Sequence, residues 1–294
     1  MGQTNVGNSD RITREYFDSL LLEMRHIDGK KPNTEFELYG KKFETPIMMA
    51  ALSHLNNVWE NGMVEMAKGA KMAGAVNWAG MGDEAELEEI TKTGAETIKI
   101  IKPYKDNDVI FRRIEHAKKC GVLAVGIDVD HAFSGSGEYD NVLGYEMRPK
   151  SMEEIREFVA ASEIPFVVKG VLSQRDAYKC LQAGVKGIVI SHHHGIMDYA
   201  VPPLMVLPEI CKVIDGEIPV FVDCGIMSGM DAFKALALGA TAVSAGRVIM
   251  GPLGENGAEG VRDAIYRMTA ELKGVMARTG CFDLAHMDAS VIRK

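Results

Sequence analysis

The stretch KGVLSQRDAYKCLQAGVKGIVISHHHG, residues 169–195, decides the fold. Residues 174–182 have the spacing of an amphipathic helix, Ala183-Gly184-Val185 ends it, and an apolar run over 187–193 follows at once. A left-handed glycine at that point stops the helix and turns the chain straight into a buried strand. The same junction recurs at Ala73-Gly74-Ala75-Val76, Cys120-Gly121-Val122-Leu123 and Leu238-Gly239-Ala240, after helical spacing over 63–72, 109–119 and 230–238. Working outward, short apolar runs at 46–52, 75–80, 97–102, 122–128, 165–170, 187–193, 219–225 and 242–246 predict eight strands with helices between them. An open, doubly wound sheet is the alternative for such alternation. Eight strands and a closing helix over 260–277 favour a (β/α)8 barrel, an α/β fold, with a short N-terminal helical extension. We expect a polar arm and an outer helix (14–26) within residues 1–40, and the barrel over 41–294. The long connection 131–151, rich in Gly, Ser and Asn, predicts a lid or a disordered flap.

Composition excludes several functions. Lys and Arg number 33 against 41 Asp and Glu, a net charge of −8 with no block of like charges, which disfavours nucleic acid and anionic membranes. No apolar run reaches the length of a membrane span. Five scattered cysteines without a CxxC pair fit a reducing cytoplasm.

In a barrel the chemistry lies where the strands end. The fourth strand ends in Asp128 and Asp130, the fifth in Lys169, the sixth in Ser191-His192-His193-His194, the seventh in Asp223 and the eighth in Gly246-Arg247. Strand alternation puts Ser191 and His193 on one face and His192 on the other. Any one of these could be a satisfied core group, but ionisable residues at the ends of all of the last five strands point to a site. His192 and His194 with Asp128 or His131 offer a metal alternative. Cys224 reads as a buried thiol rather than a nucleophile. Gly225, Gly246 and Arg247 lie where barrels of this kind hold phosphate, the glycines admitting backbone N–H groups and the arginine offering a fork.

From about residue 36 to 292 the chain resembles the FMN-dependent 2-hydroxy-acid oxidases and dehydrogenases, the glycolate oxidase and lactate oxidase group. The likeness is carried by residues 169–195, VLPEI, PVFVDCGIMSGMDAFKALALGATAVSAGR and MARTGC, and less strongly by LYGKKFETPIMMAAL and GIDVDHAF. It implies FMN at the C-terminal mouth of the barrel, a small-molecule substrate and a homo-oligomer, commonly a tetramer. It further implies His193 as the general base, Asp130 as its orienting carboxylate, and Lys169 beside flavin N1 and O2. Ser191, Asp223, Gly225, Gly246 and Arg247 fall on flavin, ribityl and phosphate contacts, and Ala50 and Ala51 on the backbone beneath the isoalloxazine.

Departures from the pattern are as informative. The arginine that clamps the substrate carboxylate in the family is Ile196 here, and an isoleucine offers no bidentate fork. The third strand's Gln-x-Tyr is Ile100-Ile101-Lys102, the fourth strand's Thr is Asp128, and Met227 stands where an Arg is usual. The N-terminal segment that supplies another tyrosine is expected to be missing. Lys102 or Arg148 are the candidate replacement cations. The leading expectation is an FMN-dependent oxidoreductase whose substrate is not a short 2-hydroxy acid in the usual pose. An FMN-dependent isomerase, a metal-dependent hydrolase or lyase, and a flavin-binding protein without catalysis are the alternatives.

Overall fold

The computed structural model describes residues 6–294. Eight parallel strands carry the fold: β1 (Ile47–Met49), β2 (Asn77–Ala79), β3 (Thr97–Ile101), β4 (Ala124–Asp128), β5 (Phe166–Val171), β6 (Gly187–Ile190), β7 (Val220–Val222) and β8 (Ala242–Ala245). Consecutive strands pair in parallel from β2 round to β8, and β8 pairs with β1. Backbone bonds from Met49 N–H to the Val76 carbonyl (3.0 Å) and from Gly80 N–H to the Leu52 carbonyl (2.8 Å) close the ring between β1 and β2. Outside lie α1 (Gly62–Met72), α2 (Glu84–Lys92), α3 (Asn107–Lys119), α4 (Met152–Ser162), α5 (Gln174–Gln182), α6 (Pro203–Ile214), α7 (Gly229–Ala237) and α8 (Arg247–Thr279). Asp83, Asp106, Ser151, Ser173 and Ser228 cap helices by accepting from first-turn N–H groups, which satisfies donors that the helix itself cannot.

Period-2 alternation sorts the strand residues between two cores. Met48, Trp78, Ile98, Ile100, Val167, Val189 and Phe221 fill the lumen, with Trp78 and Phe221 edge to face at 5.6 Å. Their neighbours along each strand, such as Ile47, Val168, Ile188 and Ile190, face the helices. An antiparallel hairpin, Phe36–Leu38 with Lys41–Phe43, plugs the N-terminal end of the lumen with Leu38 and Phe43. The expected division at 40/41 therefore falls inside an element that belongs to the barrel core.

Three expectations are corrected. The N-terminal helix runs Ser9–Ser19 rather than 14–26, because Asn8 caps it by accepting from Arg11 N–H and the chain turns extended at Leu20. Beyond it Leu21–Leu22 pairs with Ile292–Arg293. The arm expected over the first residues lies, for positions 1–5, outside the described residues. The closing helix expected over 260–277 is present, but a further helical segment starting at Arg247 leads into it, set off by non-helical backbone at Asn256 and Gly257. The 131–151 connection is folded: Asn141–Val142 pairs with Tyr145–Glu146, Met147 is buried, and Lys105 N–H donates to the Glu146 carbonyl. Among the described residues no helix is long and apolar enough to cross a membrane.

Candidate active site

The alternation that fills the lumen with apolar side chains puts polar ones in its uppermost layer. Continuing from Ile98 and Ile100, the next inward position, just beyond β3, is Lys102. On β4 it is Asp128, on β5 Lys169, beyond β6 Ser191, and beyond β7 Asp223. His193 reaches the same layer because the chain after β6 turns left-handed, with φ +47° at His193 and +61° at His194. Such backbone in non-glycine residues costs on the order of 1 kcal/mol each and persists where the surroundings impose it. Gly170 makes room for the last member. A Cβ there would lie 2.7 Å from the Asp130 carboxyl carbon, so only glycine, at φ +93° in the β5 bulge, admits Asp130.

His193 Nδ1 lies 2.8 Å from Asp130 Oδ1, 3.2 Å from Lys169 Nζ and 3.4 Å from Asp128 Oδ1. A lysine ammonium and an imidazole N–H are both donors, so the shortest contact decides: Nδ1–H donates to Asp130. Lys102 Nζ donates to Asp128 Oδ2 at 2.8 Å, and Lys169 sits 3.5 Å from Asp128 and 3.7 Å from Asp223. On the opposite edge His193 Nε2 is 3.0 Å from His131 Nε2, and His131 Nδ1 is 3.0 Å from Asp140 Oδ2.

Burial pushes the Asp128 carboxyl up, but Lys169, His193 and Lys102 outweigh it and hold it well below the usual carboxylate range. Asp130 is pushed up to about 6 by burial and by the Asp128 charge. Lys169 stays charged, since three carboxylates overcome its burial. His193 is likewise raised, burial being outweighed by Asp128 and Asp130, whereas burial, Lys102 and His193 lower His131. The Cys224 thiol is pushed up to about 11 by burial and by Asp223, which leaves it a poor nucleophile.

A second cluster lies beside the first. Gly246 and Arg247 open α8, and with Asp223, Gly225 and Ser244 they line a cavity of about 20 Å³. A Cβ at Gly246 would come within 3.3 Å of the Ala50 side chain, so the chain after β8 runs close to the chain after β1. The N-terminal helix lies against this cradle. Thr13 and Phe17 pack on Gly225, Thr13 Oγ1 is 2.8 Å from His192 Nε2, and Arg14 clamps Asp231 with two bonds of 2.9 and 3.0 Å. Asp10 pairs with Arg247 at 3.0 Å and lies 3.4 Å from His194. The donor set suits a phosphate-bearing flavin. A guanidinium stands at a helix start whose cap residue has no side chain, and a buried ammonium stands in the lumen beside it.

The structure thus brings His193, Asp130, Lys169, Ser191 and Asp223 into one cluster, with Gly225, Gly246, Arg247 and Ala50 at its edge. Ala51 packs on the lumen residues below. The metal alternative on His192, His194 and Asp128 does not survive, since His192 turns outward to Thr13 and His194 to Asp10. Among the described residues the three potential ligands that do converge are Asp130, His131 and His193, within 4.8 Å of one another. Of the two replacement cations, Lys102 is in the site but paired, and Arg148 makes no ion pair among the described residues. Sequence reading missed Gly170, Asp140, Asp10 and the partnership of His131. The DVDHAF run put His131 next to Asp130, whereas Asp140 and Asp10 reach the site only through folded connections.

A (β/α)8 barrel with a histidine, a carboxylate and a lysine at its mouth beside a phosphate cradle defines a flavin-type oxidoreductase. The FMN-dependent dehydrogenase family matches residues 1–157 and 141–294, and the chain belongs to it. It is 30% identical to an L-lactate oxidase of Lactobacillus jensenii, over 93% of this chain and 75% of that protein. It is also 30% identical to a peroxisomal (S)-2-hydroxyacid oxidase of Arabidopsis thaliana, over 87% of this chain and 79% of that one. A mandelate oxidase variant solved with a monooxide FMN adduct superposes with a TM-score of 0.89 at 28% identity, covering 99% of this chain and 93% of that one. The protein is an FMN-dependent oxidoreductase of the 2-hydroxy-acid oxidase type.

Proposed function

We propose that the chain oxidises a secondary alcohol carbon next to a neutral carbonyl group, with His193 as the base. The observation that carries this reading is the 2.8 Å contact between His193 Nδ1 and Asp130 above Lys169 at the barrel mouth. Asp130 fixes the imidazole tautomer, so that Nε2 is the atom left to accept the hydroxyl proton, and it stabilises the imidazolium that forms. Lys169 keeps a positive charge in the lumen, where it offsets negative charge built up on the ring system above it. Arg247, Gly246 and Gly225 would hold the phosphate of FMN, and FMN when bound supplies the hydride acceptor.

The substrate part rests on charge. Lys102 and Lys169 face Asp128, Asp130 and Asp223, and Ile196 stands half-exposed where the family's clamping arginine is expected. A free carboxylate finds both lysines of the lumen already held by carboxylates, whereas an amide or ester carries no charge to compensate. A mandelate oxidase carrying an Arg-to-Leu substitution was solved with 2-hydroxy-phenylacetamide, at 26% identity and a TM-score of 0.88 to this chain, which supports the reading. Anaerobic mixing tests it: 2-hydroxy-phenylacetamide is expected to bleach the bound flavin, and L-lactate and glycolate are not. Fast bleaching by lactate or glycolate overturns the substrate assignment. The five cysteines are free thiols, which supports a reducing compartment, and the family resemblance supports a homo-oligomer, measurable by light scattering.

A further inference from the structure

The base is not alone at its working nitrogen. Asp140 Oδ1 accepts from Asn141 N–H at 2.8 Å, and its backbone is tied to Ala132 and Met147, so Oδ2 is held towards His131 Nδ1. A carboxylate only accepts, and His131 Nδ1 therefore carries its hydrogen. The same argument places a hydrogen on His193 Nδ1, facing Asp130. If both rings were neutral, the two Nε2 atoms would present bare lone pairs to each other across 3.0 Å. The rings stand nearly perpendicular, 4.1 Å between centroids, and a contact of 3.0 Å between the two Nε2 atoms calls for a hydrogen on one of them. One proton must then lie between them, and the pair as a unit holds one proton beyond neutrality. The surroundings, Asp128, Asp130, Lys169 and Lys102 on the strand side and Asp140 on the hairpin side, favour that proton on His193 in the resting protein.

We propose that His131 is the second proton carrier of the active site, taking from His193 the proton that His193 removes from the substrate and passing it to solvent at Asp140. The proposal rests on His193 being the base. In the reactive turn the shared proton has left and His193 Nε2 is bare. The substrate O–H bond breaks and an N–H bond forms at His193 Nε2, while the hydride leaves the carbon for the FMN of the established activity. The new N–H then gives its proton to His131 Nε2, and His131 releases its Nδ1 proton to Asp140 and on to water; this restores His193 and leaves His131 as its Nε2–H tautomer, which proton exchange with water at the exposed Asp140 edge resets before the next turn. Asp140 and His131 are each about one-fifth exposed, so the route opens at the surface hairpin and not through the substrate.

Two measurements on the oxidised holoenzyme test this. In 15N-resolved NMR titration, the His131 and His193 rings are expected to titrate as a coupled pair, with one strongly deshielded N–H signal that disappears in both His131→Gln and His193→Gln. Independent titration of the two rings in the wild type overturns the proposal. In anaerobic stopped flow with 2-hydroxy-phenylacetamide and a pH indicator, proton release is expected to coincide with flavin bleaching in the wild type. In His131→Gln it is expected to lag bleaching by tenfold or more. Coincident release in that variant overturns the proposal. Should His131→Gln fail to fold, Asp140→Asn keeps both rings and is expected to lower the titration midpoint of the pair; an unmoved midpoint overturns it. Failure of the amide to bleach the flavin refutes the substrate reading alone, because the titration needs no substrate.

Discussion

His193 works against its own environment. Burial disfavours its charge, yet Asp128 and Asp130 raise its pKa above the ordinary 6.5. A base must be neutral to accept a proton. The rate of flavin reduction is therefore expected to rise with pH through a midpoint above 6.5, and to be lost as pH falls below it. Asp130→Asn removes an acceptor that stabilises the imidazolium, so the midpoint should move down while the rate drops by about 10²–10⁴. The pH dependence of anaerobic bleaching measures both, and an unchanged midpoint would rule out Asp130 as the orienting carboxylate. At this scale much was legible beforehand. Strand ends expose ionisable residues at predictable positions, and the alternation that separates His192 from His193 can be read from four letters. Lys102 was found as a cation but not as a partner of Asp128, since pairing across strands depends on register, which one strand's letters do not contain.

Elements explain what single residues do not. The N-terminal helix lies over the phosphate cradle, with its Asp10 carboxylate on the Arg247 guanidinium. Both groups are partly exposed, so the pair is worth roughly 0.2–1 kcal/mol. A phosphate must take the guanidinium from Asp10 in order to use it. Asp10→Ala is therefore expected to tighten FMN binding by about two- to fivefold, read from flavin fluorescence as the apoprotein is titrated; weaker binding would show that Asp10 orients Arg247 instead of competing for it. The helix itself was only half legible. Leu20, Leu21 and Leu22 continue an apolar pattern that fits helix or strand, and the true start depended on Asn8, a single capping residue. The order within the 131–151 connection was not legible for a similar reason. Its glycines and serines describe a turn-rich segment, while the burial of Met147 that fixes it comes from a distant part of the chain.

Over the whole molecule, the repeating unit was easy to see because four helix-to-strand junctions leave the same glycine-then-apolar mark, while other helices, such as the one ended by left-handed Glu163, carry no such letter. The lumen packing that results is dense. Trp78 is 1% exposed and touches both Phe221 and Met48. Trp78→Ala is expected to cost about 3–5 kcal/mol of stability, measured by urea unfolding at fixed FMN concentration; a cost below 1 kcal/mol would mean that the lumen collapses to fill the gap. The long span between the first helix and its partners has a consequence for how the molecule is made. Phe17 gives its carbonyl to Lys234, 217 positions later, and Thr13 meets His192 after 179. At about 5–20 residues per second of synthesis, the helix leaves the ribosome roughly ten to forty seconds before its seat exists. For that interval Phe17, fully covered in the finished protein, is a bare apolar side chain on a nascent polypeptide.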